Sequence, residues 1–122
     1  MAKVVKVPDL SAAVVCDTNP LFSENETELI SKEAVAELQE IGQTAGIEII
    51  IPRVVAGELL FRKDWTLKNL RNEAAKKLAS IGQLATAPQP MLPDGKVLRR
   101  RLQRRFSAWC KENRIKLWRV PF

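Results

Sequence analysis

Histidine is absent from this chain of 122 residues, and its absence removes a large part of enzyme chemistry. Catalysis by a serine or cysteine that histidine activates is excluded, because such a nucleophile needs the adjacent base. A zinc site also loses its usual nitrogen ligand. Carboxylates therefore remain as the natural catalytic groups of this sequence.

Cysteine and long apolar runs are scarce as well. Cys16 and Cys110 lack the close spacing of a metal knuckle or a redox pair, so we expect two reduced, partly buried thiols. No apolar run approaches the roughly 20 residues of a membrane helix, and the opening segment lacks the apolar core of a secretory signal. We therefore expect a single cytoplasmic domain over residues 1–122, with no membrane partner.

Acidic side chains are scarce in the second half of the chain. Residues 1–64 contain 6 basic and 11 acidic side chains, whereas residues 65–122 contain 14 basic and 3 acidic ones. The net charge of +6 conceals this asymmetry. A strongly basic half indicates an anionic partner.

The first half of the chain alternates between apolar runs and amphipathic segments. Residues 12–16, AAVVC, predict a strand that is buried on both faces, and a turn follows. Residues 31–41 predict an amphipathic helix. Residues 47–51, IEIII, predict a second strand, and a helix follows from Pro52. This order is typical of an α/β fold with a parallel sheet.

The second half is mostly helical. Residues 66–82 predict a separate amphipathic helix, with Thr66 as its cap. Residues 84–95 contain three prolines and a glycine and predict a hinge loop within the domain. A long helix is expected from residue 96 to about residue 113, and a third strand over residues 115–120.

Two acids follow the two predicted strands. Asp17 ends the first apolar run, and ligands of an open parallel sheet bind outside the carboxyl ends of its strands. Glu58 lies six residues beyond Pro52, so it would face Asp17 if the two strands are neighbours. Such a pair suits phosphodiester hydrolysis with Mg²⁺ or Mn²⁺. By spacing alone, a turn acid and a solvated helix acid remain the simpler interpretation.

The segments VVCDTNPLF and IEIIIPRVVAGELLFRK together resemble the amino-terminal half of a PIN domain. This nuclease family includes bacterial toxin ribonucleases, RNA-processing nucleases and flap-type nucleases. Its pattern is an apolar strand that ends in Asp-Thr-Asn or Asp-Ser-Ser, a helix, and a second apolar strand before a proline, two aliphatic residues and a glutamate. The matching residues here are Asp17, Thr18, Asn19, Ile47 to Ile51, Pro52, Val54, Val55 and Glu58.

The resemblance implies a PIN-like three-layer α/β/α fold with a short parallel sheet, apparently incomplete, with three strands and about four helices. It implies that Asp17 and Glu58 are catalytic carboxylates and ligands of Mg²⁺ or Mn²⁺. Thr18 and Asn19 would orient the loop and a metal-bound water through hydrogen bonds. A role of Thr18 and Asn19 as simple turn residues is the alternative.

The resemblance ends before the family pattern does. PIN domains continue with two further strands beside the first, and their remaining acids stand at the ends of these strands. No acid after Glu58 ends a convincing strand here. The strand at 12–16 would then be an apolar edge, which favours pairing. We expect a fragment of a longer protein, or a homo-oligomer or complementing chain that pairs through residues 12–16.

Basic side chains on the predicted helices form a candidate nucleic-acid surface. Guanidinium groups bind phosphates bidentately and with little sequence preference, although a solvated helix face is the simpler interpretation. The candidates are Lys68, Arg71, Lys76, Lys77, Lys96, Arg99, Arg100, Arg101, Arg104 and Arg105.

Two functions fit these patterns. The first is a metal-dependent endoribonuclease of PIN type, or its amino-terminal portion, which acts on RNA or another nucleic acid. Two carboxylates hold Mg²⁺ weakly, so we expect weak or absent activity from this chain alone. The second is a non-catalytic nucleic-acid-binding or protein-interaction module built on a partial PIN fold.

Overall fold

The computed structural model describes residues 2–5, 12–44 and 46–118, which form one mixed sheet and a set of helices. The strands are β1 (Ala2–Val5), β2 (Ala12–Cys16), β3 (Ile47–Pro52) and β4 (Ile115–Trp118). The helices are α1 (Thr18–Leu21), α2 (Lys32–Gly42), α3 (Arg53–Ala85) and α4 (Gly95–Glu112). The order of strands in the sheet is β1-β2-β3-β4.

Strands β2, β3 and β4 run parallel, which confirms the predicted α/β class. Val14 pairs in register with Ile49, and Ile49 pairs with Ile115. The predicted third strand begins at the expected residue, and its end at residues 119–120 lies outside the described residues. Because the three strands are parallel, their carboxyl ends meet at one edge of the sheet.

The expectation that β2 has an open edge is wrong. Strand β1 pairs antiparallel with β2, from Ala2 opposite Cys16 to Val5 opposite Ala13. The sequence analysis missed β1 because four residues are too few for a periodic signal. Pairing of residues 12–16 with a second chain would have to displace β1, and it stays a prediction.

The main apolar cluster lies on one face of the sheet, while Ala13 and Ile50 are buried on the opposite face. Side chains alternate along a strand, so the register partners Val14, Ile49 and Ile115 point to the same side. Side chains from the three longer helices join them in one apolar cluster, namely Ala34, Leu38, Ala56, Leu59, Phe106 and Cys110. Among the described residues, the helices that build this cluster therefore form a single layer.

The predicted three-layer arrangement is therefore not seen in the described part of the chain. The strands β2, β3 and β4 are added in one direction across the sheet. Right-handed crossovers between such strands carry their helices to the same face. Helices would cover the second face if a further parallel strand were added on the other side of β2, because its crossover connection would run in the opposite direction.

Helix α3 is continuous over 33 residues, where the sequence predicts two helices. The predicted break at Thr66 is absent: its hydroxyl caps no helix start and instead donates to the Arg62 carbonyl oxygen at 3.2 Å, one turn earlier in the same helix. The helix ends before Thr86, which has a left-handed backbone with φ of 54°. The predicted hinge loop is thereby shortened to residues 86–94.

Both cysteines are buried and unpaired in disulfides, as the sequence predicts. Burial raises the pKa of Cys16 to about 11, with a smaller contribution from the neighbouring Asp17 carboxylate. Burial likewise raises the pKa of Cys110 to about 11. Both thiols are therefore protonated and unreactive near neutral pH.

Among the described helices, none is long and apolar enough to cross a membrane.

A buried acid joins α3 to α4. Asp64 is only 8% exposed, and its Oδ2 atom accepts a hydrogen bond from Arg99 Nε at 3.2 Å. Lys68 Nζ lies 3.3 Å from the same oxygen. Arg99 comes from the other helix, so this ion pair fixes how the two helices lie against each other. Both cations remain about half exposed.

We predict that Asp64→Ala lowers the free energy of unfolding by about 1–2 kcal/mol, because it removes charge-assisted hydrogen bonds between helices. Urea unfolding followed by circular dichroism measures this change. Glu73→Ala is the matched control, since it removes an exposed acid from the same helix and should change stability by less than about 0.5 kcal/mol. Equal effects of the two substitutions would contradict the role of Asp64.

Candidate functional site

The carboxyl ends of β2 and β3 place two polar segments side by side. Strand β2 ends at Cys16, and Asp17, Thr18 and Asn19 follow it directly. Strand β3 ends at Pro52, and α3 carries Glu58 about one and a half turns into the helix. Since the strands are parallel neighbours, both segments lie at the same edge of the sheet.

A hydrogen bond joins the two segments. Thr18 Oγ1 donates to Glu58 Oε2 at 2.9 Å, across 40 residues of sequence. Thr18 is buried, whereas the Glu58 side chain is half exposed. The Thr18 hydroxyl therefore orients the Glu58 carboxylate without removing it from solvent. Asp17 and Asn19, which flank Thr18 in the sequence, are both exposed.

Arg62 completes the group, and the sequence analysis did not identify it. Its Nη2 atom donates to Glu58 Oε1 at 3.1 Å, and its Nη1 atom lies 3.5 Å from Asn19 Oδ1. The guanidinium also lies 5.2 Å from the centroid of the Phe22 ring, at a distance typical of cation–π contacts. The four-residue spacing from Glu58 to Arg62 was the available signal, since such pairs meet on a helix.

The next residue of α3 anchors the loop beside this corner. Lys63 is 5% exposed, and its ammonium group donates to the carbonyl oxygens of Ser23 and Asn25. Burial lowers the pKa of Lys63; Arg105 lowers it further, and Glu28 opposes the shift. The ammonium group thus links the segment after α1 to α3 beside the corner.

We name the group formed by Asp17, Thr18, Asn19, Glu58 and Arg62 the carboxylate corner. Its carboxylate, hydroxyl and amide oxygens are the donors that Mg²⁺ and Mn²⁺ prefer, so the donor chemistry fits a hard cation. The number of acids is small. Within the described ranges, no group of three or more Asp, Glu, Cys or His side chains is placed to hold a metal ion.

The predicted nucleic-acid residues divide into engaged and exposed side chains. Lys68 and Arg99 are ion-paired with Asp64, and Arg71 Nε donates to the Pro93 carbonyl oxygen at 2.6 Å. These three residues contribute to holding α3, α4 and their loop together. The remaining candidates are exposed on α3 and α4, and they are Lys76, Lys77, Lys96, Arg100, Arg101, Arg104 and Arg105.

Two of the exposed arginines also border a cavity between the helices. Arg101 and Arg105 line a space of about 230 Å³ together with Lys63 and leucines of α3 and α4. Glu26 and Glu28 line the same space from the neighbouring loop. The mixed charges make this cavity less suited to a bare phosphate than the outer face of α4.

Comparisons with known proteins return no match: no family model, no curated protein and no solved structure corresponds to this chain. Interpretation of the carboxylate corner therefore depends on its own geometry and on the motif resemblance.

We predict that Thr18→Val lowers the free energy of unfolding by about 1 kcal/mol, because the hydrogen bond to Glu58 is lost while the side-chain volume is kept. Thr18→Ser, which retains the hydroxyl, is the control and should keep most of that energy. A double-mutant cycle with Glu58→Ala, which removes the acceptor, isolates the pair. Strict additivity of Thr18→Val and Glu58→Ala would show that the two side chains do not interact.

Proposed function

We propose that this chain carries the amino-terminal half of a metal-dependent ribonuclease site of PIN type and acts on RNA in the cytoplasm. The observation that carries the proposal is the hydrogen bond between Thr18 and Glu58. It joins the Asp-Thr-Asn motif to the glutamate of the second motif at the carboxyl edge of the parallel strands. That edge is where an open α/β sheet binds its ligands.

Each residue of the carboxylate corner has a distinct part in this proposal. Asp17 and Glu58 would hold the divalent cation, which when bound supplies an activated water and stabilises charge on the phosphate. Thr18 keeps the Glu58 carboxylate in one orientation through its hydrogen bond. Asn19 presents an exposed amide beside the acids, suited to orienting a water or a phosphate oxygen.

Arg62 supplies the positive charge that balances Glu58. A divalent cation at Glu58 would compete with the guanidinium for the same carboxylate oxygen, because both are attracted by its negative charge. Once displaced, Arg62 would lie next to the acids with its donors available. A guanidinium in that position suits a substrate phosphate.

A second candidate function is a nucleic-acid-binding module without catalysis. Two observations favour it: Arg62 already neutralises Glu58, and the described residues bring only two acids of the family pattern to the corner. Binding would then depend on the exposed arginines of α4. Such binding weakens steeply with salt, whether or not a divalent cation is present.

We predict that Mn²⁺ or Mg²⁺ binds weakly at the carboxylate corner and that Asp17→Asn and Glu58→Gln each reduce this binding at least about tenfold. Paramagnetic broadening of amide resonances by Mn²⁺ measures the site directly. Cleavage of a single-stranded RNA, where detectable, should be lost in both variants. Glu40→Gln, an exposed acid of α2, is the control and should leave binding unchanged.

The outcome separates the two candidates. Broadening confined to residues around Asp17 and Glu58 supports the metal site. The alternative outcome is that RNA binds equally well in Mn²⁺ and in EDTA and that no resonance is locally broadened. This outcome would support the binding module and contradict the proposed nuclease.

We predict that Arg62→Ala raises the affinity of the corner for Mn²⁺ by about threefold to tenfold, because a competing positive charge at 3.1 Å from Glu58 is removed. Isothermal titration at low ionic strength measures the change. Lys77→Ala is the matched control, since it removes one exposed charge from a distant turn of the same helix. An equal gain in both variants would indicate a general effect of net charge.

A further inference from the structure

The outer face of α3 exposes large apolar side chains beside the carboxylate corner. Phe61 is 73% exposed, Trp65 is 64% exposed and Val54 is 72% exposed. These residues recur at intervals of seven and four, so they lie along one line of the helix opposite the core. We name Phe61 and Trp65 the aromatic platform.

The aromatic platform and the candidate site share one helix face. Glu58 lies three residues before Phe61, which corresponds to about 4.5 Å along the helix axis. Arg62 lies between the two rings in sequence and contacts Glu58. A strand that reaches the Glu58 carboxylate from the carboxyl-terminal side of α3 would therefore pass over Phe61 and Trp65.

Positive charge borders the aromatic platform on both sides. Arg62 lies on the side of the carboxylate corner, and Lys68 and Arg99 lie on the other side. Phe61, Lys68 and Arg99 line one cavity of about 420 Å³ together with Asp64. Three cations pair with two acids, Glu58 and Asp64, and Asp17 of the corner brings the charges into balance, so the exposed rings carry the argument for binding.

The shape of the platform favours nucleic-acid bases over a protein helix. A helix that packs against another protein needs an apolar stripe about 100° wide that is sustained over several turns. Here the apolar line is one side chain wide, and Lys68, Asn69 and Asn72 follow it on the same face. Two exposed rings among polar groups are typical of base-stacking surfaces.

The spacing of the rings favours a single strand. Side chains four residues apart on a helix are about 5–6 Å apart at their Cβ atoms, whereas stacked bases in a duplex are about 3.4 Å apart. Neighbouring bases can reach both rings only where their own stacking is opened. Aromatic side chains accept unstacked bases of this kind.

We propose that Phe61 and Trp65 bind two bases of a single-stranded nucleic acid by stacking and thereby guide its phosphates to the carboxylate corner. This inference names the substrate form and rests on the proposed function of that corner. RNA and DNA both present the flat faces of their bases to such rings, so the test includes both nucleic acids.

The test measures binding of fluorescein-labelled 12-nucleotide RNA and DNA strands by anisotropy in EDTA, where no cleavage occurs. Phe61→Ala and Trp65→Ala should each weaken binding about fivefold or more. Trp65→Phe keeps a ring and should retain most of the affinity. Ile81→Ala, which also truncates an exposed apolar residue of α3, should have no effect.

An abasic strand of the same length and charge separates stacking from charge. It should bind the wild-type protein more weakly than RNA does, and it should bind wild type and Trp65→Ala equally. The dependence of binding on salt should be the same in both proteins, since no phosphate contact is removed. The fluorescence of Trp65, taken as the difference between wild type and Trp65→Phe, should be quenched by RNA and not by the abasic strand.

Failure of this inference is distinguishable from failure of the proposed function. Local Mn²⁺ broadening at Asp17 and Glu58 with unchanged RNA affinity in Phe61→Ala and Trp65→Ala would overturn the platform alone. Loss of affinity in these variants without any Mn²⁺ site would support the platform and overturn the nuclease. A third outcome is that Phe61→Ala and Trp65→Ala change the molecular mass of the protein in solution, measured by light scattering, and leave nucleic-acid affinity unchanged. This outcome would identify a protein interface and overturn the proposal.

Discussion

The parallel pairing of β2 with β3 is the constraint on which the candidate site depends. It sets the ends of both strands at one edge, so that the turn after Cys16 faces the first turns of α3. The hydrogen bond from Thr18 to Glu58 is possible only in this arrangement. A shift of β2 by one residue relative to β3 would also turn Val14 away from the core that Ile49 faces, so the register is strongly specified.

Charge balance is the second constraint on the corner. Glu58 places a negative charge at a solvent-exposed edge, and Arg62 balances it by pairing with its carboxylate at 3.1 Å. The Phe22 ring and the anchored loop hold Arg62 and Lys63 from the other side. The acidic and basic halves of the sequence meet elsewhere in the fold, where Asp64 pairs with Arg99 and Glu48 pairs with Lys116.

Much of the architecture follows from local patterns. The apolar runs at 12–16 and 47–51 and the periodic helices predict an α/β fold with a parallel sheet, and the structure agrees. Three features were out of reach of such patterns: strand β1, the short helix α1, and the continuity of α3 through Thr66. Strand β1 and helix α1 have four residues each, too few to show a period. Thr66 suggested a cap from its residue type, but its hydroxyl bonds within one continuous helix. The single layer of helices depends on strand order, which no local signal specifies.

The functional surface also has features that the sequence predicts and features that only the tertiary structure shows. The positions of Asp17 and Glu58 after two predicted strands were enough to single them out as candidates, and Thr18 and Asn19 entered through the motif resemblance. The tertiary structure alone shows that Thr18 orients Glu58, that Asp64 occupies Lys68 and Arg99, and that Phe61 and Trp65 face solvent. Sequence can state which side chains share a helix face. Which face is covered is decided by the packing of α3 against the sheet and α4, since burial is a property of the whole fold.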